Sequence, residues 1–265
     1  MKKPRYLRNW EGLARTDPLW SVCTHPDRKD GKWEKEEFLE TGREEWGSLV
    51  RYLSEQAIPL PRNGKALDFG CGAGRLSLAM AGTFSRVTGV DASAAMIDLA
   101  REYHAGEYPS VFFMHHDQPG LSLFDDHTFD FIFSVLVLQH IPVKEGLHYL
   151  GEMARVLKPG GIILFQLPVA DRRKITVFRR LRSALRIRER LALAGIGKGY
   201  GMDMYIYSPD AVEALLSEWD TRVIHRVYTN HTEQRYAGNF QVIPPEQAGD
   251  YLSVMMVGRK EKKDV

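Results

Sequence analysis

The stretch that decides the fold is Ala66-Leu67-Asp68-Phe69-Gly70-Cys71-Gly72-Ala73-Gly74. It begins with a short apolar run, typical of a buried strand, and a helical pattern from Arg75 to Phe84 follows it directly. Glycines at such a junction let the backbone turn sharply and let a ligand approach it closely. The helix that begins there offers unpaired N–H groups and the positive end of its dipole. The stretch therefore predicts a strand–loop–helix unit that binds a ligand at its loop.

Strand-like and helix-like segments alternate on both sides of this loop. Strands are predicted at 66–69, 86–90, 111–114, 129–138, 162–167, 222–229 and 251–257. Helices are predicted at 34–56, 75–84, 93–103, 143–157 and 209–219. The first five strands lack polar alternation and are separated by helix-length segments, which indicates a parallel sheet covered on both faces. A doubly wound α/β sheet of this kind binds its ligands beyond the carboxyl ends of its strands.

Composition places the chain among ordinary globular proteins. Of its 265 residues, 44% are hydrophobic and 26% are charged, which excludes a disordered or fibrous class. The net charge of +2 is too small to indicate a nucleic-acid partner. The two cysteines cannot form a disulfide framework or a four-cysteine zinc site. The sequence has no apolar run of about 18 residues and no secretory signal, so we expect a cytoplasmic protein without a metal centre.

The charges around the loop favour a nucleoside ligand that carries a cation. Asp91 lies about 20 residues beyond the loop, at the end of the next strand, where a carboxylate can hold ribose hydroxyls. Dinucleotide sites share this spacing, but their G-x-G-x-x-G pattern requires glycine where this chain has Arg75. Asp68 also suits a cation better than a pyrophosphate, and no Walker loop occurs. A ligand with an ammonium, a sulfonium and a carboxylate group fits this pattern.

Five motifs in order resemble those of class I S-adenosylmethionine (SAM)-dependent methyltransferases. They are the loop at 66–74, Val87-Thr88-Gly89-Val90-Asp91-Ala92-Ser93, His116-Asp117, Phe129-Asp130-Phe131-Ile132 and Leu157-Lys158-Pro159-Gly160-Gly161. The resemblance covers about residues 60–170, and Arg222–Val257 is similar to the family's closing strands. It implies a Rossmann-like, mostly parallel seven-stranded sheet whose last strand is antiparallel.

The resemblance also implies where SAM would bind. Asp68 and the Gly70–Gly74 backbone would face the methionyl part, and Asp91 would bind the ribose. The residues implied for the cofactor are Asp68, Phe69, Gly70, Cys71, Gly72, Gly74, Asp91, Ala92, Met96, Asp117, Gln118, Ser134 and Val135. Ala92 and Met96 would flank the adenine, and Asp117 with Gln118 would meet its edge. Met96 can equally be a core residue, and Asp117 a solvated loop carboxylate.

Methyl transfer from a sulfonium is an in-line displacement, so a base is needed only where the acceptor must lose a proton. His140 is the candidate base because it follows the fourth strand at the ligand-binding edge of the sheet. The alternative role for His140 is a hydrogen bond that shapes the turn. The residues proposed for acceptor binding are Trp20, Trp33, Gln139, His140, Tyr205 and Tyr207.

Two segments flank the methyltransferase-like region. Residues 1–58 are predicted to form a helical lid or extension, and residues 59–265 the methyltransferase domain with an insertion at 169–207. Residues 172–190 carry nine Arg or Lys and one acidic residue, with apolar residues at helical spacing. This cationic amphipathic helix is either a solvated outer face or a contact for an anionic substrate, a membrane surface or RNA.

The sequence thus favours a SAM-dependent methyltransferase that acts on a small molecule, with oxygen as the acceptor atom. One alternative is an RNA or lipid-head-group methyltransferase that uses the basic helix 172–190. Another is a non-catalytic SAM-binding interaction protein. No recognisable nucleic-acid-binding module occurs, and the sequence does not indicate an oligomeric state.

Overall fold

A computed structural model describes residues 3–104, 106–173 and 202–262. The strands are β1 (Lys65–Phe69), β2 (Arg86–Asp91), β3 (Val111–His115), β4 (Phe129–Ser134), β5 (Leu157–Asp171), β6 (Thr221–Thr229) and β7 (Tyr251–Lys260). The helices are α1 (Arg5–Thr16), α2 (Pro18–Val22), α3 (Lys35–Glu55), α4 (Arg75–Met80), α5 (Ala94–His104), α6 (Val143–Val156) and α7 (Pro209–Glu218). Short 3₁₀ turns lie at Pro26–Arg28, Leu138–His140 and Pro245–Gln247.

The seven strands form one sheet in the order β3-β2-β1-β4-β5-β7-β6. The first five strands pair in parallel, and β7 runs antiparallel between β5 and β6. The predicted α/β, Rossmann-like sheet with an antiparallel last strand is confirmed. Because β1 and β4 are adjacent although β2 and β3 intervene in sequence, the order reverses at their junction, which is where such sheets bind ligands.

Helix α3 packs into the core of the sheet. The Trp46 ring centroid lies 5.9 Å from that of Phe84, 6.0 Å from that of Phe131 and 5.9 Å from that of Phe133. Leu49 and Leu53 of the same helix are 2% and 1% exposed within the same cluster. The segment 1–58 therefore shares the hydrophobic core of the sheet. The domain boundary at 58/59 stays a prediction.

Two strands differ from their predicted bounds. The fourth strand ends at Ser134 and not at 138, because Leu136 adopts a left-handed conformation (φ 63°) that cannot continue a strand. The fifth strand runs from Leu157 to Asp171, well beyond the predicted 162–167, because β7 pairs with it as far as Asp171. Helix α4 is also shorter than predicted and ends at Met80.

The basic segment 172–190 lies outside the described residues except for its first two members. Arg172 donates to the carbonyl oxygens of Pro245 and Ala248, and Arg173 pairs with Asp171 at 2.5 Å. Within residues 3–104, 106–173 and 202–262, no helix is both long and apolar enough to span a bilayer.

Candidate active site

The glycine loop lies at the carboxyl end of β1. The Gly70 N–H donates to the Val90 carbonyl at 2.8 Å, which ties the loop to the end of β2. Gly70 has a φ of +78°, and a Cβ there would lie 2.3 Å from Cγ2 of Val137. Only glycine fits between the loop and the segment that follows β4. Gly74 has a different role, because a Cβ there would lie 2.7 Å from Cζ of Phe113 on the neighbouring strand β3.

The Asp91 carboxylate joins the first two loops of the sheet. Its Oδ2 accepts from the Gly72 N–H at 2.9 Å, and its Oδ1 accepts from the Ser93 N–H at 2.8 Å. Burial raises the Asp91 pKa, and these backbone hydrogen bonds oppose that shift. A carboxylate has about four acceptor positions, so each oxygen of Asp91 can still accept from a ligand hydroxyl.

Asp68 lies at the base of the loop and is almost fully buried. Its Oδ2 accepts from the Ser77 hydroxyl at 2.6 Å. Burial raises the Asp68 pKa to about 7; the Ser77 hydrogen bond and the Arg75 charge oppose this shift, and the Asp91 charge adds to it. The Asp68 carboxyl therefore titrates near neutral pH, where a nearby cation would favour its ionised form.

These residues open onto a cavity of about 400 Å³ between the sheet and the N-terminal helices. Its lining includes the predicted cofactor residues Asp68, Phe69, Gly70, Cys71, Gly72, Asp91, Ala92, Met96 and Val135. Helix α1 adds Tyr6, Leu7 and Trp10, which the sequence did not single out. The N-terminal segment therefore contributes to the cavity wall, and its role as a lid stays a prediction.

Four predicted cofactor residues do not line the cavity. Asp117 binds Lys3 at 2.5 Å, and the Gln118 amide donates to Asp117 at 2.9 Å. Ser134 is fully buried and donates to the Phe69 carbonyl at 3.1 Å, which supports the loop from below. Gly74 packs against β3, as described above. Cofactor contacts by these four residues stay predictions.

Some of the residues predicted for acceptor binding line the cavity, and others do not. Trp20, Gln139 and His140 line the cavity, whereas Trp33, Tyr205 and Tyr207 do not. Trp33 donates to the Cys23 carbonyl at 3.1 Å. The Tyr207 hydroxyl is buried and donates to the carbonyls of Leu138 and Ile141 at 2.9 and 2.8 Å. Tyr207 thus fixes the turn beneath His140, a role that no sequence pattern indicates.

His140 is held by hydrogen bonds at both ring nitrogens. Its Nδ1 lies 2.8 Å from the Asp203 carbonyl oxygen, and its Nε2 lies 2.9 Å from Nε2 of Gln139. Burial lowers the His140 pKa to about 4, and the hydrogen bond to the Asp203 carbonyl opposes that shift only partly. The ring is therefore neutral at pH 7, and a role for His140 as the general base stays a prediction.

A buried ion pair beside the loop was missed by the sequence analysis. Arg75 and Glu45 are 2% and 1% exposed, and their Nη1 and Oε2 atoms lie 2.6 Å apart. His231 lies 3.5 Å from the other Glu45 oxygen. Burial raises the Glu45 pKa, but the charges of Arg75 and His231 outweigh burial and bring it to about 2. The residues are far apart in sequence, so only their pairing in the fold could have revealed them.

The hydrogen-bonding and charged groups of the cavity match the chemical groups of SAM. Asp91 presents half-buried acceptor oxygens where β2 ends, and Asp68 can hold a negative charge next to a cation. The glycine loop leaves room for a ligand but none for a side chain at Gly70. The cavity volume lies within the usual range of small-molecule sites, about 300–1,000 Å³.

Comparison with known proteins gives the same family. A family profile described as "Methyltransferase domain" matches residues 66–161. The Coxiella burnetii ubiquinone biosynthesis O-methyltransferase is 34% identical over 116 residues, which is 44% of this chain and 47% of that protein. The Staphylococcus aureus demethylmenaquinone methyltransferase is 37% identical over 103 residues, 38% of this chain and 41% of that protein. The chain thus spans less than half the length of these two curated relatives.

A solved structure extends the likeness of the fold to most of the chain. Magnesium protoporphyrin IX methyltransferase from Synechocystis, crystallised with bound S-adenosylhomocysteine (SAH), superposes with a TM-score of 0.55 at 16% identity. The superposition covers 92% of this chain and 93% of that one. At this identity the likeness concerns the fold alone. Together with the glycine loop and the strand order, the matched region shows that the chain contains a methyltransferase domain at 66–161 within the fold of class I SAM-dependent methyltransferases, which use SAM as their cofactor.

Proposed function

We propose that the protein transfers a methyl group from SAM to an oxygen of a small, ring-bearing molecule. The observation that carries this proposal is the convergence of the glycine loop, Asp68 and Asp91 on one cavity. The same cavity continues past the loop to Gln139 and His140, which leaves space for an acceptor next to the cofactor.

When bound, SAM supplies an electrophilic methyl group and a neutral thioether leaving group. The chain's own residues then have to align the two reactants, which is the larger part of catalysis for a displacement of this kind. Asp91 would hold the ribose, and the backbone at Gly70 and Gly72 would fix the methionyl part. Trp10 of α1 lies against the His140 ring, with 4.8 Å between centroids, and covers the cavity, which limits the access of water.

The walls of the remaining space favour an apolar ring as the acceptor. Trp20, Met202, Met204 and Tyr251 are among the residues that line the cavity. Aromatic and thioether side chains pack well against flat apolar molecules. The curated relatives are named for ubiquinone biosynthesis and for demethylmenaquinone, whose names denote ring-bearing quinones. Both names support a ring-bearing acceptor, and the first, an O-methyltransferase, also supports oxygen as the acceptor atom.

The two rival functions have less support. An RNA or lipid-head-group methyltransferase would depend on the basic segment 172–190, of which only Arg172 and Arg173 are described, and both have partners within the chain. A peripheral membrane contact through this segment would depend on the same residues. A SAM-binding protein without catalysis would not need the space beside Gln139 and His140.

The first test is calorimetric binding of SAM and SAH to the purified protein and to Asp91→Ala. We expect the substitution to weaken binding by roughly 1–3 kcal/mol, because it leaves polar groups of a buried site unpaired. Asp98→Ala is the matched control, since Asp98 on α5 is 77% exposed and lies outside the cavity. If both variants bind SAM as tightly as the unchanged protein, the cofactor lies elsewhere.

The second test measures SAH release with a panel of hydroxylated rings, and with RNA and lipid vesicles as comparisons. Turnover of the hydroxylated rings that does not depend on salt is the expected result. Turnover of RNA or lipid alone, with a steep fall as salt rises, would favour the rival methyltransferases. Binding of SAM without methylation of any component of a broad extract would favour the non-catalytic function.

A further inference from the structure

A chain of buried hydrogen bonds joins the sheet to His140. The Leu136 N–H donates to Oε1 of Gln166 at 3.1 Å, and Nε2 of Gln166 lies 3.3 Å from Oε1 of Gln139. The chain continues from Nε2 of Gln139 to Nε2 of His140 and from Nδ1 of His140 to the Asp203 carbonyl. Gln166 is completely buried in β5, and its second amide hydrogen is directed to Ser253 on β7 at 2.7 Å.

The two ends of this chain are backbone groups with a fixed polarity. The Leu136 N–H can only donate, so the atom of Gln166 that faces it must be the oxygen. One amide hydrogen of Gln166 then faces Gln139, so Gln139 must present its own oxygen to Gln166 and its NH₂ group to His140. The Asp203 carbonyl at the other end can only accept, so Nδ1 of His140 carries the proton. Each donor in the chain follows from these two backbone groups.

We propose that Gln166 is a positioning residue: through the Gln139 amide it holds His140 as a neutral ring with the proton on Nδ1. A proton on Nε2 would face the NH₂ group of Gln139, which is a donor, so the chain opposes protonation of the ring. Gln166 also supports the left-handed Leu136 (φ 63°), and thereby the cavity wall formed by Val135, Leu136 and Val137.

Among the described residues, the groups around His140 supply no unpaired charge that would explain this effect. The Trp10 ring packs against His140 from α1. The Asp203 carboxylate pairs with Arg5 of α1 at 3.2 Å, so the charges of the two side chains offset each other. Gln139, Gln166 and Ser253 are neutral. The Tyr207 hydroxyl donates to backbone carbonyls of the turn.

The consequence for catalysis rests on the proposed methyl transfer. While this series of hydrogen bonds is intact, His140 does not take the proton of the acceptor hydroxyl. The displacement forms the bond between oxygen and methyl carbon, breaks the bond between carbon and sulfur, and leaves the electron pair on sulfur. Without a base at His140, the site favours an acceptor whose hydroxyl ionises readily in solution, such as a phenol, so that its proton goes to solvent.

The test is NMR of the full chain with ¹⁵N-labelled histidine, with the His140 signals assigned from His140→Gln. We expect a neutral ring with the proton on Nδ1 throughout the physiological pH range. In Gln166→Glu the carboxylate still accepts from Leu136 but cannot donate to Gln139, so the Gln139 amide turns and presents its oxygen to Nε2 of His140. The titration midpoint of His140 should then rise by about one pH unit or more, a tenfold change in proton affinity.

Gln139→Glu places an acceptor directly next to Nε2 of His140. It provides the same measurement of the His140 titration midpoint if Gln166→Glu does not fold. Ser253→Ala is the matched control, because it removes a bond of the same Gln166 amide but leaves the chain to His140 intact. A His140 ring with its proton on Nε2 in the unchanged protein would overturn the proposal, as would a midpoint that neither glutamate variant moves. These signals require no cofactor, so they are independent of the binding experiment that tests the proposed function.

Discussion

At the scale of single residues, burial shifts the pKa values of two cavity groups in opposite directions. Asp68 is an acid, so burial favours its protonated, neutral form and raises its pKa to about 7. His140 is a base, so burial favours its unprotonated, neutral form and lowers its pKa to about 4. At pH 7 the His140 ring is therefore neutral and Asp68 is only partly ionised, which leaves Asp68 as the group that can respond to a cation.

Asp68 should release a proton when SAM binds at neutral pH. The sulfonium and ammonium groups favour the ionised carboxylate, so the Asp68 pKa falls from about 7 towards its ordinary value of 3.8. Calorimetry in two buffers with different ionisation enthalpies measures the number of protons released. We expect a release near pH 7 that disappears above about pH 8.5, where Asp68 is already ionised. Asp68→Asn should abolish it, and an unchanged release in that variant would assign the proton to another group.

The raised pKa of Asp68 also determines whether this residue makes the folded protein more or less stable as the pH rises. The unfolded chain loses this proton near pH 3.8 and the folded protein near pH 7. The contribution of Asp68 to stability is therefore fully present below pH 3.8 and is lost as the pH rises through 7. Asp68→Asn should reduce the fall in stability across this window, as measured by urea unfolding at several pH values.

At the scale of elements, the loop depends on how closely α3 approaches the start of α4. A Cβ at Gly42 would lie 2.4 Å from the Arg75 carbonyl oxygen, a backbone atom that cannot move aside without moving the loop. Glu45 lies one turn further along α3 and pairs with the Arg75 side chain. A carboxylate and a guanidinium are stable in the core only as a pair, so the contact also fixes the register between the two helices.

Gly42→Ala should therefore destabilise the protein and weaken SAH binding. Overpacking of this kind costs about 1–3 kcal/mol. Gly47→Ala on the same helix is the matched control, because a Cβ there would meet only the Arg51 guanidinium at 3.6 Å. That substitution should raise stability by up to about 1 kcal/mol through helix propensity. Urea unfolding and SAH calorimetry measure both effects; equal behaviour of the two variants would refute the close approach.

At the scale of the whole molecule, the N-terminal segment and the sheet share one hydrophobic core. Trp46 packs against Phe131 and Phe133 of β4, and Glu45 pairs with Arg75. Helix α1 lies across the cavity and is joined to the loops after β2 and β3 by the contacts of Glu11 with Ser93 at 2.8 Å and of Lys3 with Asp117 at 2.5 Å.

The protein should therefore unfold in one cooperative transition. Four of its five tryptophans lie in residues 1–58, so tryptophan fluorescence reports mainly on this segment, whereas far-UV circular dichroism reports on the whole chain. We expect the two urea transitions to coincide. A fluorescence transition that precedes the dichroism transition would instead support an independent unit at 1–58.

The order of the elements, the strand–loop–helix unit at 66–75 and the carboxylates at its edge could all be predicted from the amino-acid sequence. These features depend on residues that are close together in sequence: apolar runs, glycines and segments of helix length. A pattern of this kind predicts secondary structure without knowledge of the fold. Because parallel strands bring their carboxyl ends to one edge, the meeting of Asp68 with Asp91 also followed from the pattern.

The pairing of polar groups in the core and the hydrogen bonds of His140 depend on how the chain packs. Glu45 with Arg75, and Gln166 with Gln139, are 30 and 27 residues apart in sequence, and no periodicity links them. The end of β4 at Ser134 was likewise set by the Gln166 amide bound to Leu136 and not by the apolar run that continues past it. A buried polar group must find a partner wherever the fold provides one, so its role depends on the packed chain as a whole.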